Sequence, residues 1–433
     1  MKRTPRSFRT LGIEQLECRL ALDGSPLVKG DLNRDGQVTV ADVPAMMAAF
    51  ADLKNYQVTQ GLTDAQLLEI ADADGSGTIS NADIQAVINL VASAASAAPS
   101  PPGTWFDSNI QDAGIRAIGD QEFQDGVMDR NDMVKLFREV ESAGAVTSTE
   151  MSDLTLIANT STLFGNLDYV QQLSQDIVLG NVANAQYQGQ TLGNLAVGSS
   201  PTQLEELVDK WFLGTDHPAA GSAYQLATGP LFGPTGPQYT DIHQGGLDDC
   251  YLMAGLAEVA LKSPSTISNM FISNGDGTYT FRYYTDNQPY LQRGIVNYVT
   301  IDSQLPTGYA DYSNELWVAL AEKAYAQIRG SYSNLNFGSP GALLNQITGN
   351  TWMFPFTSSS DFATAYNAGA FIALSSALTP ASPNIVGNHA YALVSYDATT
   401  QILTLYNPWG SLVTIAWADV SSNFSSVQGV NAS

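Results

Sequence analysis

Two twelve-residue stretches near the start of the chain repeat one spacing of oxygen-bearing side chains around a glycine. They are DLNRDGQVTVAD, residues 31–42, and DADGSGTISNAD, residues 72–83. Glycine at the sixth position lets the backbone turn sharply, and a hard cation needs six or more oxygens at once. Because both copies keep the glycine in register, we predict that each loop binds calcium. The candidate ligands are Asp31, Asn33, Asp35, Gln37, Thr39 and Asp42 in the first loop, and Asp72, Asp74, Ser76, Thr78, Ser80 and Asp83 in the second.

Both loops end in aspartate rather than in the glutamate that usually closes an EF-hand loop. Together with the duplication, this ending resembles dockerin modules, whose partners are cohesin domains. The resemblance implies an all-α calcium-binding module over residues 28–91, with a cohesin-like domain as its partner. The segment TDAQLLEIA, residues 63–71, is more similar to the entering helix of an ordinary EF-hand pair. A structural module stiffened by calcium therefore stays open as the alternative to a cohesin-binding module.

The composition of the chain excludes two classes of partner. The 433 residues include 18 basic and 42 acidic side chains, which give a formal net charge of −24. A surface of that sign repels phosphate backbones, so we expect no nucleic-acid partner. No apolar run approaches the roughly 18 residues of a membrane span, so we expect no such span. The two cysteines, Cys18 and Cys250, are too few for a disulfide framework.

Residues 1–27 are expected to form a non-globular arm. They begin with basic residues, as a secretory signal does, but Glu14, Glu17 and Arg19 interrupt the apolar stretch that would follow. The LECRLAL motif in this arm resembles the arms that precede calcium-repeat modules in some bacterial extracytoplasmic proteins. That resemblance implies a secreted or extracytoplasmic bacterial protein, with Cys18 outside any site.

A run of small residues and prolines, residues 92–103, predicts a linker after the calcium module. Residues 104–236 follow with helical apolar spacing, in NDMVKLFREVESA and PTQLEELVDKWFLG, and are predicted to form a helical segment. The motif QDGVMDRND within it hints at a third cation loop. However, Gln121 and Phe123 would take two ligand positions, and phenylalanine cannot chelate. His217 is interpreted as incidental to function.

Cys250 lies where a polar, glycine-rich turn, QGGLDD, runs into an apolar helix predicted to begin at the cysteine. A thiol there lies at the positive end of the helix dipole, which favours the thiolate. Free cysteine is also among the most buried residue types, so an inert core residue is the alternative interpretation. A nucleophilic thiol needs, in addition, a base and a group that orients the base.

The candidate base is His389, which opens HAYALVSYDATTQILTLYNPWG, residues 389–410. This stretch predicts two strands joined by a polar turn. If the hairpin is centred on Ala398, His389 and Asn407 face each other directly across the ladder, with Cβ atoms about 5 Å apart. The asparagine would then bind one imidazole nitrogen and leave the other for the thiol. A hairpin with two polar ends at a solvated rim is the alternative interpretation.

The chain order cysteine, histidine, asparagine is typical of papain-like enzymes, and four stretches resemble the calpain family of cysteine peptidases. The resemblance implies an α+β fold, with a helical lobe and an antiparallel sheet lobe. It implies a catalytic domain over residues 237–421 and a tail over 422–433. The four stretches are QGGLDDCY at 244–251, VTIDSQLP at 299–306, NELWVALAEKAYAQIRGSY at 314–332, and GNHAY with NPWG within 387–410.

The same resemblance implies a cysteine endopeptidase that hydrolyses peptide bonds of a protein or peptide substrate through a covalent thioester. Carried onto matching positions, Cys250 would be the nucleophile, and His389 would be the general base and then the general acid. Asn407 would orient the imidazole, and Trp409 would cover the bond between them. Gln244 would donate its side-chain amide to the oxyanion, beside the backbone N–H of the cysteine.

Two positions depart from the family pattern. Asp248 stands where the family has glycine, and Tyr251 stands where it usually has tryptophan. An anion beside the oxyanion loop would crowd the substrate or raise the pKa of the thiol. A catalytically impaired, calcium-binding scaffold is therefore the alternative function. A papain-like acyl transferase is disfavoured by Asn407, where such enzymes usually carry aspartate. The sequence leaves open whether the core itself needs calcium.

Overall fold

The computed structural model divides the chain into two compact units, residues 1–103 and 104–433. The predicted linker and the predicted arm, with Cys18 and all but Leu27 of that arm, lie outside the residues that the structure describes. No helix within the described residues has the length and apolar character needed to cross a membrane. The described residues are 27–34, 38, 42, 45–46, 49, 53–73, 76–79, 83, 86–87, 104–285, 293–353, 356 and 358–432.

The first unit contains short helices around a small apolar core. Two of them are α1 (Leu53–Thr59) and α2 (Asp64–Ala71). A capping box begins α2, because the Thr63 side chain accepts from the Gln66 N–H and the Gln66 side chain accepts from the Thr63 N–H at 2.9 Å. The helix expected before the second loop is therefore present. Buried members of the core include Leu32, Met46, Leu67, Ile70 and Val87.

Residues 104–213, in the second unit, are mainly helical. A short hairpin of β1 (Gln186–Tyr187) and β2 (Gln190–Thr191) interrupts the helices. The motif that hinted at a third cation loop is used for capping, because the Asp129 side chain accepts from two backbone N–H groups at the start of α5. The helices are α3 (Trp105–Asn109), α4 (Ala113–Glu122), α5 (Arg130–Ala143), α6 (Ser148–Asn159), α7 (Asp168–Val178) and α8 (Pro201–Val208), which continues into a π-helical turn at Asp209–Leu213.

The next part of the second unit, here called the helical lobe, packs helices against small sheets. Strands β4, β5 and β6 form one antiparallel sheet, and β3 pairs with β7. The helices are α9 (Cys250–Lys262), α10 (Pro264–Ser268), α11 (Trp317–Arg329) and α12 (Pro340–Thr348). The strands are β3 (Tyr224–Leu226), β4 (Phe271–Ser273), β5 (Thr278–Tyr284), β6 (Val296–Asp302) and β7 (Gln304–Pro306).

The remaining strands form one antiparallel sheet in the order β12–β11–β10–β9–β13–β8, and this part is called the sheet lobe. It includes the helices α13 (Ser359–Asn367) and α14 (Trp417–Asn423). Helices and antiparallel sheet thus lie in one unit, and the predicted α+β fold is confirmed. The strands are β8 (Trp352–Met353), β9 (Phe371–Ser376), β10 (Ala390–Asp397), β11 (Ile402–Asn407), β12 (Ser411–Ala416) and β13 (Phe424–Val430).

Residues 422–433 do not form the expected tail. They contribute β13, which pairs with β9 on one side and with β8 on the other. The tail prediction is wrong because the backbone groups of β9 would be unpaired inside the sheet without this strand. The sequence FSSVQGV is short and polar, so it did not indicate a strand that lies between two others.

The helical segment packs directly onto the small sheet of the helical lobe. Tyr298 of β6 is 5% exposed and belongs to the same apolar core as Phe137 and Phe212. Arg130 is also 5% exposed, forms an ion pair with Asp276 at 2.9 Å, and donates to the Phe212 carbonyl at 2.6 Å. The boundary predicted at residue 236 therefore does not separate two compact bodies.

His217 has a structural contact that the sequence did not indicate. Its Nε2 lies 2.8 Å from Asp302 Oδ2, and its ring stacks on Tyr224 with centroids 4.5 Å apart. Asp302 also pairs with Lys323, whose side chain is fully buried. Burial alone would raise the pKa of Asp302, but the hydrogen bond from His217 and the charge of Lys323 lower it. These contacts are structural, so they do not test the interpretation of His217 as incidental to function.

Candidate active site

An open cleft of about 290 Å³ is lined by Gln244, Cys250 and His389, which are three of the four residues predicted to be catalytic. One wall comes from the helical lobe and the other from the sheet lobe. The cleft therefore brings together segments that are more than 130 residues apart in the sequence. Its walls are residues 244–248, Cys250, Phe337, residues 386–389 and Trp409.

Cys250 is the first residue of α9 and is half-buried in this cleft. Burial raises the pKa of its thiol above the ordinary value, and the carboxyl groups of Asp249 and Asp248 add to the increase. Hydrogen bonds from the backbone N–H groups of Ala390 and Tyr251 oppose it. The expected preference for the thiolate is therefore not met in the resting protein, because burial outweighs the position at the helix N-terminus.

His389 and Asn407 lie in contact beneath the cleft. His389 Nε2 donates to Asn407 Oδ1 at 2.9 Å, and the two residues are 5% and 7% exposed. Burial lowers the pKa of His389, although the bond to Asn407 opposes the shift. In the neutral ring, donation from Nε2 leaves Nδ1 as the acceptor nitrogen. Within the described residues, the hydrogen-bond partner of the imidazole is Asn407 rather than the thiol.

Trp409 completes this arrangement from the solvent side. Its ring lies against that of His389 with centroids 4.5 Å apart, and its backbone N–H donates to Asn407 Oδ1 at 3.0 Å. The indole itself is 54% exposed. The Trp409 ring thus lies on the imidazole that bonds to Asn407.

The predicted register of the hairpin is wrong, although the two side chains meet. Ala392 faces Tyr406, so the turn is not centred on Ala398, and a bulge between Leu393 and Ser395 shifts the ladder again. His389 lies just before β10, where Ser376 holds its backbone. The Ser376 hydroxyl accepts from the His389 N–H at 2.8 Å, and the Ser376 N–H donates to the His389 carbonyl at 2.7 Å. The two side chains therefore meet diagonally rather than directly across the ladder.

Gln244 is fixed in the loop that precedes the cysteine. Its backbone N–H donates to the Pro408 carbonyl at 2.9 Å, and its Nε2 donates to the Leu247 carbonyl at 2.7 Å. Gly245 approaches the backbone so closely that an added Cβ would lie 2.0 Å from the Tyr309 carbonyl oxygen. Only glycine therefore fits at this position. The contact with Tyr309 and the hydrogen bonds of Gln244 hold the loop that carries the candidate oxyanion donors.

Two buried carboxyl groups below the cysteine were not predicted from the sequence. Asp249 is fully buried and Glu322 is 1% exposed. Neither Asp249 oxygen has a hydrogen-bond donor within the described residues, whereas Glu322 Oε2 accepts from the Ala310 N–H at 3.0 Å. The available signal was an acidic residue directly before an apolar helical stretch, in LDDCYLMAGL, and another within a mostly apolar helical stretch, ALAEKAYA.

Another pair of neighbouring carboxyl groups in the helical lobe accepts hydrogen bonds from N–H donors. Glu315 Oε2 accepts from the Gly233 N–H at 2.5 Å, and Asp241 Oδ2 accepts from Trp317 Nε1 at 3.1 Å. Burial raises the pKa of Glu315, and the neighbouring carboxyl of Asp241 raises it further. Two such neighbouring carboxyl groups favour a shared proton.

In the first unit, the described loop residues include the acidic side chains at both ends of each predicted calcium loop. Asp31, Asp42, Asp72 and Asp83 are all buried. Asp42 Oδ1 accepts from the Asn33 N–H and Asp72 Oδ2 accepts from the Gly77 N–H, each at 3.0 Å. Buried carboxylates at these positions fit a calcium ion, which would be held by oxygens of the same loop. The other described candidates are Asn33, Ser76 and Thr78, whereas Asp35, Gln37, Thr39, Asp74 and Ser80 lie outside the described residues.

Comparison with known proteins gives family matches for two regions of the chain. Residues 223–432 match the model of the calpain family cysteine protease, and residues 29–92 match that of the dockerin type I domain. The chain therefore carries a calpain-family cysteine protease domain and a dockerin type I domain. The larger of the two matches is to a family of cysteine proteases.

Curated relatives are similar to the protease region only. Calpain-8 of Mus musculus is 29% identical over 227 residues, which cover 45% of this chain and 31% of that protein. The calpain-1 catalytic subunit of Bos taurus is 30% identical over 240 residues, which cover 47% of this chain and 32% of that protein. The chain thus spans about a third of the length of the relatives that it matches.

Proposed function

We propose that the protein is a cysteine endopeptidase in which Cys250 attacks the substrate, His389 transfers the proton and Asn407 orients the imidazole. The observation that carries the proposal is the 2.9 Å hydrogen bond between His389 Nε2 and Asn407 Oδ1. Both partners are buried, and the imidazole belongs to the same cleft as the thiol. The match to the calpain family cysteine protease supports the same assignment.

In the proposed reaction, His389 Nδ1 takes the proton from the Cys250 thiol as the sulfur attacks the carbonyl carbon of the peptide. The oxyanion accepts hydrogen bonds from the Cys250 N–H and from the Gln244 Nε2 hydrogen that is not bound to the Leu247 carbonyl. His389 then protonates the leaving amine, and a thioester remains. Water attacks the thioester with His389 as the base, which releases the carboxylic acid and restores the thiol.

The pKa shifts favour an uncharged resting pair, because burial raises the pKa of the thiol and lowers that of the imidazole. We therefore expect proton transfer to accompany attack on the substrate rather than to precede it. Removing the base in His389→Ala should lower kcat by about 10²- to 10⁴-fold, since that is the usual contribution of a general base. Cys250→Ala should abolish the covalent step, with casein hydrolysis as the measurement.

A covalent probe for thiol proteases tests the assignment of the nucleophile. Labelling of the full chain should disappear in Cys250→Ala and persist in Cys18→Ala, which is the matched control because it removes the other cysteine. Equal labelling of the wild type and Cys250→Ala would place the reactive thiol at Cys18 and contradict the proposal.

A catalytically impaired scaffold is the second candidate function. It is favoured by the exposed Asp248 carboxylate in the cleft wall and by its effect on the pKa of the thiol. In that case Cys250 would react with the probe, but the protein would not cleave casein or peptides. The two functions are thus separated by the same pair of measurements.

For the dockerin type I domain, we propose that both loops bind calcium and that a cohesin-like domain is the partner. The match over residues 29–92 and the buried aspartates at the loop ends support this. Titration calorimetry should detect about two calcium ions per chain, and Asp31→Ala combined with Asp72→Ala should remove both. Unchanged binding in the double variant would assign calcium to other residues.

We also propose an extracytoplasmic location, which the dockerin match supports. Whether calcium changes proteolysis is tested by assaying casein cleavage with calcium and with a chelator. The Asp31→Ala, Asp72→Ala variant serves as the comparison. Calcium dependence that survives in that variant would belong to the protease domain rather than to the loops.

A further inference from the structure

Phe337 has an unusual conformation in the wall of the cleft. Its φ angle is 62°, in the left-handed region that bulky side chains rarely adopt, and its side chain is 66% exposed. Strain of this kind persists where surrounding contacts fix the backbone, and it concentrates at functional sites. A large apolar side chain is thus held in solvent beside the candidate nucleophile.

The contacts that fix Phe337 come from the two positions that depart from the family pattern. The Phe337 N–H donates to the Asp248 carbonyl at 2.9 Å, and the Asp248 N–H donates to Asn336 Oδ1 at 3.0 Å. The next residue, Gly338, lies on the Tyr251 ring so closely that an added Cβ would be 2.5 Å from it. Asp248 and Phe337, which both line the cleft, are therefore held next to each other by these contacts.

The same part of the wall carries an uncompensated negative charge. The Asp248 side chain is exposed, and no lysine, arginine or histidine in the described part of the chain forms an ion pair with it. No lysine or arginine is among the described residues that line the cleft. His389 does not compensate the charge, because burial lowers the pKa of its ring.

We propose that Asp248 and Phe337 form a subsite for a basic side chain of the substrate, arginine or lysine, close to the scissile bond. The aliphatic stem of that side chain packs on the Phe337 ring, and its cationic group lies near the Asp248 carboxylate and an aromatic face. An acidic side chain is repelled there, and an apolar one removes water from the carboxylate without replacing its interactions. This inference rests on the proposed peptidase function and names its substrate class.

The experiment compares peptides that differ only in one residue, placed in turn at each position around the cleaved bond. Arginine is compared with norleucine, which keeps the stem, and with glutamate. At one position, the wild type should prefer arginine to norleucine by about three- to tenfold in kcat/KM, which corresponds to one exposed ion pair with an aromatic contact. The preference should decrease with added salt.

Substitutions assign that preference to the two side chains. Asp248→Asn should reduce the arginine to norleucine ratio to about one, and Asp248→Lys should shift the preference to glutamate. The matched control is Asp419→Asn, which removes an exposed carboxylate from the sheet lobe outside the cleft and should leave the ratio unchanged.

The aromatic contribution is tested in a second pair of variants. Phe337→Gly accommodates the backbone angle and should lower the ratio, whereas Phe337→Tyr should retain it. Covalent labelling of Cys250 in each variant verifies that the cleft is intact.

Two outcomes would overturn the inference alone: cleavage without a preference for basic residues, or a preference that Asp248→Asn leaves intact. If the wild type cleaves neither peptides nor casein, the proposed function itself fails, whether or not Cys250 takes up the probe. Cleavage of casein or peptides by the wild type therefore distinguishes the two failures.

Discussion

At the scale of single residues, Asp249 and Glu322 show how burial changes the chemistry beneath the nucleophile. Burial raises the pKa of Asp249 to about 7, while the neighbouring polar side chains of Glu322 and Gln244 lower it. Burial also raises the pKa of Glu322, and the charge of Asp249 raises it further. Because two ionised carboxylates are unfavourable in this environment, the pair holds a proton near neutral pH.

This shared proton makes stability depend on pH. The folded protein binds it more tightly than the unfolded chain does, so its contribution to stability is complete below the unfolded pKa of about 3.8. The contribution is lost as the pH rises to about 7. In Asp249→Asn, the fall in Tm between pH 4 and pH 7 should therefore be smaller than in the wild type. Thermal unfolding followed by circular dichroism provides the measurement, and parallel Tm curves would show that Asp249 does not bind an extra proton on folding.

At the scale of elements, α9 both presents the thiol and joins the two lobes. Glu258, two turns after Cys250, is fully buried and pairs with Lys262 at 2.9 Å. The same carboxylate oxygen accepts from the Ile372 N–H of β9 at 2.8 Å, and Lys262 donates to the Ala370 carbonyl. The helix is thus tied to the sheet lobe by a buried ion pair, which fixes the thiol relative to the histidine.

Glu258→Ala should destabilise the second unit by about 3–5 kcal/mol, because it leaves the Lys262 charge and the Ile372 N–H without their partner. Glu258→Gln should cost less, since an amide oxygen still accepts from Ile372. Chemical denaturation of the full chain measures both changes. The control is Asp419→Ala, a substitution at an exposed position. Equal stabilities of Glu258→Ala and the control would show that the ion pair does not stabilise the packing of α9 on the sheet lobe.

At the scale of the whole molecule, residues 104–213 form part of the structural support of the protease domain. They cover one face of the β4–β6 sheet, where Tyr298 enters the helical core and its hydroxyl donates to Asp168 at 2.9 Å. Arg130, which is buried, adds an ion pair with the exposed Asp276. The family match begins at residue 223, so the matched region alone lacks the partner of this sheet face.

A truncated chain of residues 223–433 should therefore fail to fold into a stable protein, because it exposes the apolar surface around Tyr298. Residues 104–433 should fold and unfold cooperatively. Near-ultraviolet circular dichroism and thermal unfolding compare the two chains. Cooperative unfolding of the shorter chain would mean that the helical segment is an accessory rather than a support.

Local patterns in the sequence were sufficient for several features. The spacing of oxygen-bearing residues around Gly36 and Gly77 predicted the calcium module that the dockerin match supports. The polar turn before an apolar run predicted that α9 begins at Cys250. The pairing of His389 with Asn407 followed from their places at two strand ends, even though the register was wrong. These signals were readable because turns, caps and periodicity depend on neighbouring residues.

Other features were decided only by tertiary structure. The bulge at Leu393–Ser395 shifted the register of β10 against β11. Pairing with β9 made the C-terminal residues a strand, β13. Burial, rather than the helix dipole, set the direction of the thiol pKa shift. Asp249 and Glu322, whose carboxyl groups influence each other, are 73 residues apart in the sequence. Strand register, burial and such contacts depend on segments that are distant in the chain, so no local pattern in the sequence specifies them.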